Sequence, residues 1–188
     1  MSTAQPRLLR ADDRARSRSL QRRHRAGLLV RVTDGVYVDA PAWHAMTAVQ
    51  RHLATARALA PALRSTAAFS LLTAAIALGW PLVGRPPDRV HVTDARTVRT
   101  EHRAHLVRHA GESALDHRAM TLDGVPITGA LRTAADLAAT VEPAVAAVAI
   151  DHAVRTRLIT VDDFVAASRL RPRSHGGRGA RPAPRVCR

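Results

Sequence analysis

The chain of 188 residues contains a single cysteine, no lysine and few aromatic residues. The lone Cys187 excludes an internal disulfide framework and leaves no thiolate cluster for structural zinc. No apolar segment follows Met1, and the most hydrophobic run, residues 67–83, is interrupted by polar residues, glycine and proline. Neither a secretory signal nor a membrane span is therefore expected, and the sequence favours a cytoplasmic protein with no membrane partner.

Motifs of the common enzyme classes are absent as well. The chain has no Gly-x-Ser-x-Gly elbow, no P-loop and no dinucleotide-binding glycine fingerprint. Asp162 and Asp163 fall in the predicted first turn of a helix, so we interpret them as helix-capping residues and not as a paired-carboxylate site. Arg132 and Asp136 are spaced for an i, i+4 ion pair, which we favour over a ligand-binding role. We therefore expect no enzyme and no cofactor.

Four histidines lie close together in the sequence, namely His91, His102, His105 and His109. A zinc site needs three or four ligands that converge and are held by further hydrogen bonds. The predicted strand places His105 and His109 on one face, whereas His102 falls in the loop before it. Solvated or hydrogen-bonded histidines are therefore favoured over a metal site.

The net charge of +14 is concentrated at the two ends of the chain. Residues 1–31 hold nine arginines and two acids, and residues 171–188 hold six arginines and no acid. Residues 32–170 are almost balanced, with fourteen arginines and thirteen acids. Clustered cations release condensed counterions when they bind a polyanion. The distribution therefore indicates a polyanion-binding protein, with nucleic acid as the favoured partner and a membrane surface or an acidic protein as the alternative polyanions.

Residues 17–38 read SRSLQRRHRAGLLVRVTDGVYV and predict a basic helix, a glycine stop and a two-stranded hairpin. Ser17 is a candidate N-cap, and Gly27 stands where a left-handed residue ends a helix. Asp34 and Gly35 are the dipeptide that supplies positive φ values to a tight hairpin turn. This pattern is typical of the second half of a winged helix, whose helix enters a major groove. A solvated basic helix followed by an ordinary hairpin is an equally weighted alternative.

The rest of the chain predicts an α+β fold with a small sheet. Helices are predicted over residues 41–60, from Ser65 and Thr66 to Gly79, from a Thr128 cap to 139, over 143–156 and from Thr160 onward, and strands over 89–93, 104–109 and 120–122. Three regions follow: a winged-helix region at 1–40, a mixed α/β domain at 41–170 and a disordered basic tail at 171–188. The winged helix is expected to be partial, because the region before Ser17 is short and offers only Leu8, Leu9 and Ala11 to build the helices that should support the recognition helix.

Five segments together carry a family resemblance: GLLVRVTDGVYV, AFSLLTAAIALGWPL, PDRVHVT, LVRHAG and DGVPITGALRTAADLA. In this order they resemble actinobacterial proteins related to the AbiEi antitoxins of type IV toxin-antitoxin systems, over residues 20–170. The resemblance implies a winged helix that binds promoter DNA, a mixed α/β domain and a role as transcriptional autorepressor and antitoxin, with a nucleotidyltransferase-like toxin as a partner. Many relatives continue into a Vsr-like endonuclease fold, which we expect this chain to lack.

The leading hypothesis is a regulator that binds duplex DNA through the basic helix and the hairpin. Base contacts are assigned to four side chains of the helix: Arg18, Gln21, Arg22 and Arg25. Phosphate contacts are assigned to Ser17, Ser19 and Arg31. The second hypothesis is a non-catalytic protein-interaction module that binds a toxin or a sister subunit. Single-stranded RNA binding ranks third, because Tyr37 is nearly the only aromatic residue near the basic segment.

Overall fold

A computed structural model describes residues 6–111, 120–122 and 124–170. The described strands are β1 Leu9–Arg10, β2 Leu29–Thr33, β3 Val36–Asp39, β4 Ala67–Phe69, β5 Val90–Asp94, β6 Glu101–His102, β7 Leu106–Ala110, β8 Met120–Leu122 and β9 Val125–Ile127. The described helices are α1 Arg14–Arg25, α2 Ala40–Ala45, α3 Ala48–Leu59, α4 Leu71–Ala77, α5 Ala130–Thr140, α6 Pro143–Arg155 and α7 Val161–Leu170. The α+β prediction is confirmed. The tail predicted to be disordered, 171–188, lies outside the described residues.

The basic helix α1 and the hairpin β2–β3 form where the sequence predicted them. Gly27 ends the helix with a φ of 74°, and the N–H groups of Gly27 and Leu28 close a Schellman motif on the carbonyls of His24 and Arg23. The predicted N-cap is wrong, because the Asp13 carboxylate caps the helix by accepting from the Arg16 N–H at 2.8 Å. The helix therefore begins three residues before Ser17.

The hairpin turn differs in detail from the prediction. Of the turn dipeptide, only Gly35 has a positive φ, at 71°, and the strand register shifts between Arg31 and Thr33. A bulge of this kind lets a single glycine turn the chain. Strand β1 adds to the hairpin, so that the first sheet has the order β1-β3-β2 with antiparallel neighbours.

The single helix predicted over 41–60 is wrong, because two helices occupy that segment. Met46 is extended, with a ψ of 145°, and α3 starts again after Thr47. The Thr47 hydroxyl accepts from the Gln50 N–H, while the Gln50 side chain accepts from the Thr47 N–H, which makes a capping box. This pair of hydrogen bonds stabilises a new helix start and outweighs the continuous apolar periodicity.

The second predicted helix begins too early. Residues Ala67–Phe69 form the fully buried strand β4, and α4 follows with Ser70 as its N-cap residue. Leu71 makes the sharp entry into this helix with a φ of 53°. The predicted stop at Gly79 is confirmed by its φ of 76°. Phe69 is buried as expected, but in a sheet and not on a helix face.

The predicted small sheet is a six-stranded mixed sheet in the order β6-β7-β5-β4-β9-β8. The pairs β5–β7 and β4–β9 are parallel, and the other neighbours are antiparallel. The three predicted strands are its β5, β7 and β8. Phe69, Val90, Val92 and Ile127 form the buried centre of the sheet, packed with Ala56 of α3.

Three C-terminal helices cover a second core rich in alanine. Pro143 begins α6 as predicted, and the Thr160 hydroxyl caps α7 by accepting from the Asp163 N–H at 3.1 Å. Thr128 is not the cap of α5, because the helix begins after Gly129 and the Thr128 hydroxyl bonds that of Thr133 at 2.8 Å. The core contains Leu137 and several alanines, which allow the helix backbones to approach closely: Ala134, Ala146, Ala149 and Ala153.

The first sheet packs against α3. Val32, Val36 and Val38 share a buried cluster with Ala58 of α3. The Arg10 guanidinium donates to the carbonyls of Arg57 and Ala58, at 3.1 and 3.2 Å, near the end of the same helix. These contacts cross the boundary predicted at residue 40.

Candidate nucleic-acid interface

Helix α1 displays a dense set of cations on its exposed side. Its twelve residues contain six arginines and no acid. The four residues predicted to reach bases are all exposed: Arg18, Gln21, Arg22 and Arg25. Positions three, four and seven apart lie on one face of a helix, so these side chains form one surface. We call it the α1 face.

The opposite side of α1 is fixed to the first sheet. Leu20 is only 4% exposed and packs with Leu29 and Tyr37. His24 adds a polar anchor, since its Nδ1 lies 2.9 Å from the Leu29 carbonyl oxygen and its ring contacts Tyr37 with centroids 5.8 Å apart. The guanidinium groups are therefore carried by a helix with a defined position.

Ser17 and Ser19 are partly buried and lie inside the helix. The Ser17 N–H donates to the Asp13 carbonyl at 2.9 Å, which is an ordinary helical bond. Both residues are therefore less exposed than the four residues of the α1 face.

Arg31 lies on β2, in the hairpin, and its side chain is half exposed. It pairs with Asp34, whose side chain is 92% exposed. An exposed ion pair of this kind contributes little stability. A phosphate could therefore replace Asp34 as the partner of Arg31 at small cost.

The four clustered histidines do not converge on one point. His91 of β5 and His109 of β7 form a stacked pair, with Nδ1 and Nε2 3.0 Å apart, whereas His102 lies 3.4 Å from an Arg89 nitrogen. Burial and the charges of neighbouring histidines lower the pKa of His91 to about 4, and burial also lowers the pKa of His109. Within the described ranges, no group of three or more His, Cys, Asp or Glu side chains is placed to hold a metal ion.

Sequence reasoning missed the part that His52 plays beside this pair. Its Nε2 lies 2.9 Å from the Thr73 hydroxyl, which also accepts from the His91 N–H, and its Nδ1 lies 3.1 Å from the Pro87 carbonyl. Burial lowers the pKa of His52, although the Pro87 hydrogen bond acts in the opposite direction. A histidine on a helix gives no sequence signal for this contact, which joins segments distant in the chain.

Sequence reasoning also missed the buried carboxylate of Asp94 at the end of β5. Its side chain is fully buried, and one oxygen accepts from the Thr66 hydroxyl at 2.8 Å and from the Arg96 N–H at 3.1 Å. Arg64 and Arg108 lie 3.6 and 3.9 Å from the other oxygen. Burial alone would raise the pKa of Asp94, but these hydrogen bonds and cations hold it below its usual value. The group therefore stays ionised at neutral pH as a structural ion cluster.

The predicted pair of Arg132 and Asp136 is confirmed, with Nε and Oδ1 2.8 Å apart and the Asp136 side chain 3% exposed. The Arg132 guanidinium also approaches Gly111, where an added Cβ would lie 3.8 Å from it and 2.5 Å from the Thr93 methyl group. The pair thus lies in a tightly packed region beside Thr93 of β5 and Gly111, which follows β7. This agrees with the structural role predicted for it.

No protein-family model matches the chain, and no curated protein matches it either. None of the helices in the described part of the chain combines the length and the apolar character that a bilayer crossing requires.

Proposed function

We propose that this protein is a cytoplasmic, non-enzymatic regulator that binds duplex DNA through the α1 face and the β2–β3 hairpin. The observation that carries the proposal is the fixed position of α1, whose one buried residue is Leu20 while its arginines are exposed. A rigid helix that displays cations can enter the major groove, where Arg can pair with guanine and Gln with adenine. The hairpin would then lie against the adjacent backbone.

The arrangement of elements supports a partial winged helix. Helix α1 lies between β1 and β2 in the chain and packs on the sheet β1-β3-β2, with β2–β3 as the wing. In this fold the helix before the wing is the one that reads the major groove. Arg10 of β1 hydrogen-bonds the carbonyls at the end of α3, so the N-terminal sheet is anchored to a helix that follows it in the chain.

The biological role proposed is that of a transcriptional autorepressor and antitoxin of the AbiEi-like class, with a nucleotidyltransferase-like toxin as partner. This part of the proposal depends on the resemblance of the five sequence segments. The mixed α/β domain would contact the toxin, while the N-terminal region contacts the promoter. A chain that binds duplex DNA without any effect on its own promoter in a reporter assay would contradict this role.

The DNA-binding part is tested by fluorescence anisotropy with duplex DNA, single-stranded DNA and RNA of equal length. If about five phosphates are neutralised, log K should fall with log salt at a slope of about −4 to −5. A variant with Arg18, Arg22 and Arg25 changed to Ala should lose the preference for duplex. The matched control removes three exposed arginines elsewhere, Arg96, Arg99 and Arg169, and should keep it. Equal losses in both variants would show that net charge alone drives binding and would overturn the proposal.

A protein-interaction module is the second candidate, favoured by exposed apolar side chains near the C-terminal helices. Val148, Leu158, Val161 and Val165 are 37–57% exposed. Exposed apolar groups mark a contact surface where they join into one contiguous patch. Sedimentation of the wild type and of the variant Val161→Glu with Val165→Glu tests for self-association through these helices. Absence of nucleic-acid binding together with association that the variant abolishes would favour this second function.

A further inference from the structure

A cleft of about 310 Å³ lies between β2, α3 and the loop that precedes β5. Its lining contains three arginines and a single carboxylate, Arg31, Arg51, Arg85 and Asp88, together with Trp43. This volume is at the lower end of the range for small-molecule sites. The excess of guanidinium groups over carboxylates selects for an anion.

Arg51 is held in a fixed orientation in this cleft. Its Nε donates to the Trp43 carbonyl and its Nη2 to the His44 carbonyl, both at 3.1 Å, and its guanidinium lies 5.9 Å from the centre of the Trp43 ring. Neither acceptor carries a negative charge, and Arg51 makes no ion pair with a described residue. The result is a preorganised positive charge within cation–π distance of an indole, and an ordered guanidinium loses little entropy when it binds a ligand.

Arg85 supplies a second uncompensated charge at the rim. Its side chain is exposed and makes no hydrogen bond or ion pair within the described residues. His52 forms a neutral part of the wall, because both of its ring nitrogens already have partners in Pro87 and Thr73 and because burial lowers its pKa. The charge that a ligand meets therefore comes from the arginines.

We propose that this cleft binds an anion of the nucleoside monophosphate class, with the phosphate held by Arg51 and Arg85 and the base against the Trp43 ring. Guanidinium groups recognise phosphate oxygens through directed, charge-assisted hydrogen bonds. Bases stack on guanidinium planes as well as on aromatic rings. The same chemistry is present in a free nucleotide and in the end of a nucleic-acid strand. The site does not depend on DNA binding by the α1 face.

Calorimetric titration of the full chain with AMP and GMP at low salt tests the site. Saturable binding is expected with a Kd of about 1 mM or below. Adenosine and inorganic phosphate should each bind at least about ten-fold more weakly, because each lacks one half of the recognised chemistry. No saturable heat up to about 5 mM nucleotide, or phosphate alone binding as tightly as AMP, would overturn the proposal.

Variants locate the site within the protein. Arg85→Glu should weaken AMP binding at least about ten-fold, and Arg85→Lys should weaken it less, because Lys retains the charge but lacks the forked donors of the guanidinium. Arg99→Glu is the matched control, since Arg99 is exposed and does not line the cleft. Arg85 is exposed, so its replacement leaves the fold intact, which urea denaturation verifies. Equal affinity of Arg85→Glu and wild type would refute the assignment.

Two further arms separate the sources of the nucleotide. If the site binds free nucleotides, a 5′-phosphorylated pentathymidylate should bind no more tightly than TMP. If the site binds the end of a strand, the pentanucleotide should bind at least about ten-fold more tightly than TMP. Its affinity should fall in Arg85→Glu by the same factor as that of AMP. The variant with Arg18, Arg22 and Arg25 changed to Ala should bind AMP as the wild type does, which distinguishes failure of this site from failure of the α1 face.

Discussion

At the scale of single residues, the stacked pair of His91 and His109 makes stability depend on pH. One ring must donate to the other across 3.0 Å, so a pair with both rings protonated would lose this hydrogen bond and place two positive charges in contact. His52 and His102 add to the local positive potential on protonation. The folded protein therefore resists proton uptake that the unfolded chain accepts.

This resistance predicts the direction of a pH profile. The pKa of His91 is about 4 in the folded protein and 6.5 in the unfolded chain, so between these values the unfolded state binds more protons. The free energy of unfolding should therefore fall as pH drops from about 7 to 4, by up to about 1.4 kcal/mol per pH unit for each withheld proton. Urea denaturation between pH 7 and pH 4.5 measures this slope. The variant His91→Gln should flatten it, and an unchanged slope in that variant would contradict the assignment to His91.

The buried carboxylate of Asp94 gives a second prediction at this scale. Asp94→Asn removes the charge that faces Arg108, whose side chain is 18% exposed, and should lower the free energy of unfolding by about 2–4 kcal/mol. Asp151→Asn is the control, because Asp151 is exposed and its oxygen lies 3.8 Å from an exposed Arg155. Asp151→Asn should lower the free energy of unfolding by less than about 0.5 kcal/mol. Chemical denaturation at pH 7 compares the two, and equal effects would show that the Asp94 cluster contributes no more than a surface pair.

At the scale of secondary-structure elements, local sequence signals predicted which helices and strands form more accurately than they predicted the first and last residues of each. Gly27 and Gly79 ended helices as expected, since a left-handed residue at a helix end is encoded locally. The strand β4 was missed because its three residues, Ala67–Phe69, have an apolar pattern that also fits a helix. Only pairing with β5 and β9 decides between the two, and those strands are distant in the sequence.

The same distinction applies to the candidate sites: residues close together in the chain could be predicted to share a site, whereas residues far apart could not. The exposed row on α1 followed from helical spacing alone, because all of its members lie within eight residues. The cleft with Arg31, Arg51 and Arg85 brings together three segments far apart in the chain. No periodicity or motif reports such a juxtaposition, and only the packing of the first sheet on α3 creates it.

The break between α2 and α3 supplies a prediction at the element scale. Thr47→Ala removes the hydroxyl that accepts from the Gln50 N–H at 3.2 Å, so we expect a loss of about 1 kcal/mol in the free energy of unfolding. Thr47→Ser keeps an acceptor in place and should restore most of that loss. Thermal and urea denaturation of the three proteins measure it. If Ala and Ser were equally stable, the capping box would not be the reason for the helix start.

At the scale of the whole molecule, a buried apolar cluster and Arg10 join the N-terminal sheet to the mixed α/β part. The buried apolar area between the two parts comes from the cluster of Val32, Val36, Val38 and Ala58. Arg10 fixes the orientation of the sheet relative to α3 by donating hydrogen bonds to two carbonyls near the end of that helix. A cation at a helix C-terminus also interacts favourably with the helix dipole. The α1 face is thus held indirectly by the rest of the protein through β1 and β3.

This coupling predicts the effect of Arg10→Met on local opening. The change removes two charge-assisted hydrogen bonds, each worth about 1.5–3 kcal/mol at most, while it keeps an apolar stem of similar length. Amide exchange in β2 and β3 should then become faster than exchange in β5 and β7, because the first sheet can open without the second. Arg7→Met is the control, since Arg7 is exposed and should leave both sheets equally protected. If amide exchange becomes faster in both sheets by the same factor in Arg10→Met, the protein opens as one unit. Arg10 would then contribute to global stability and not to the support of the α1 face.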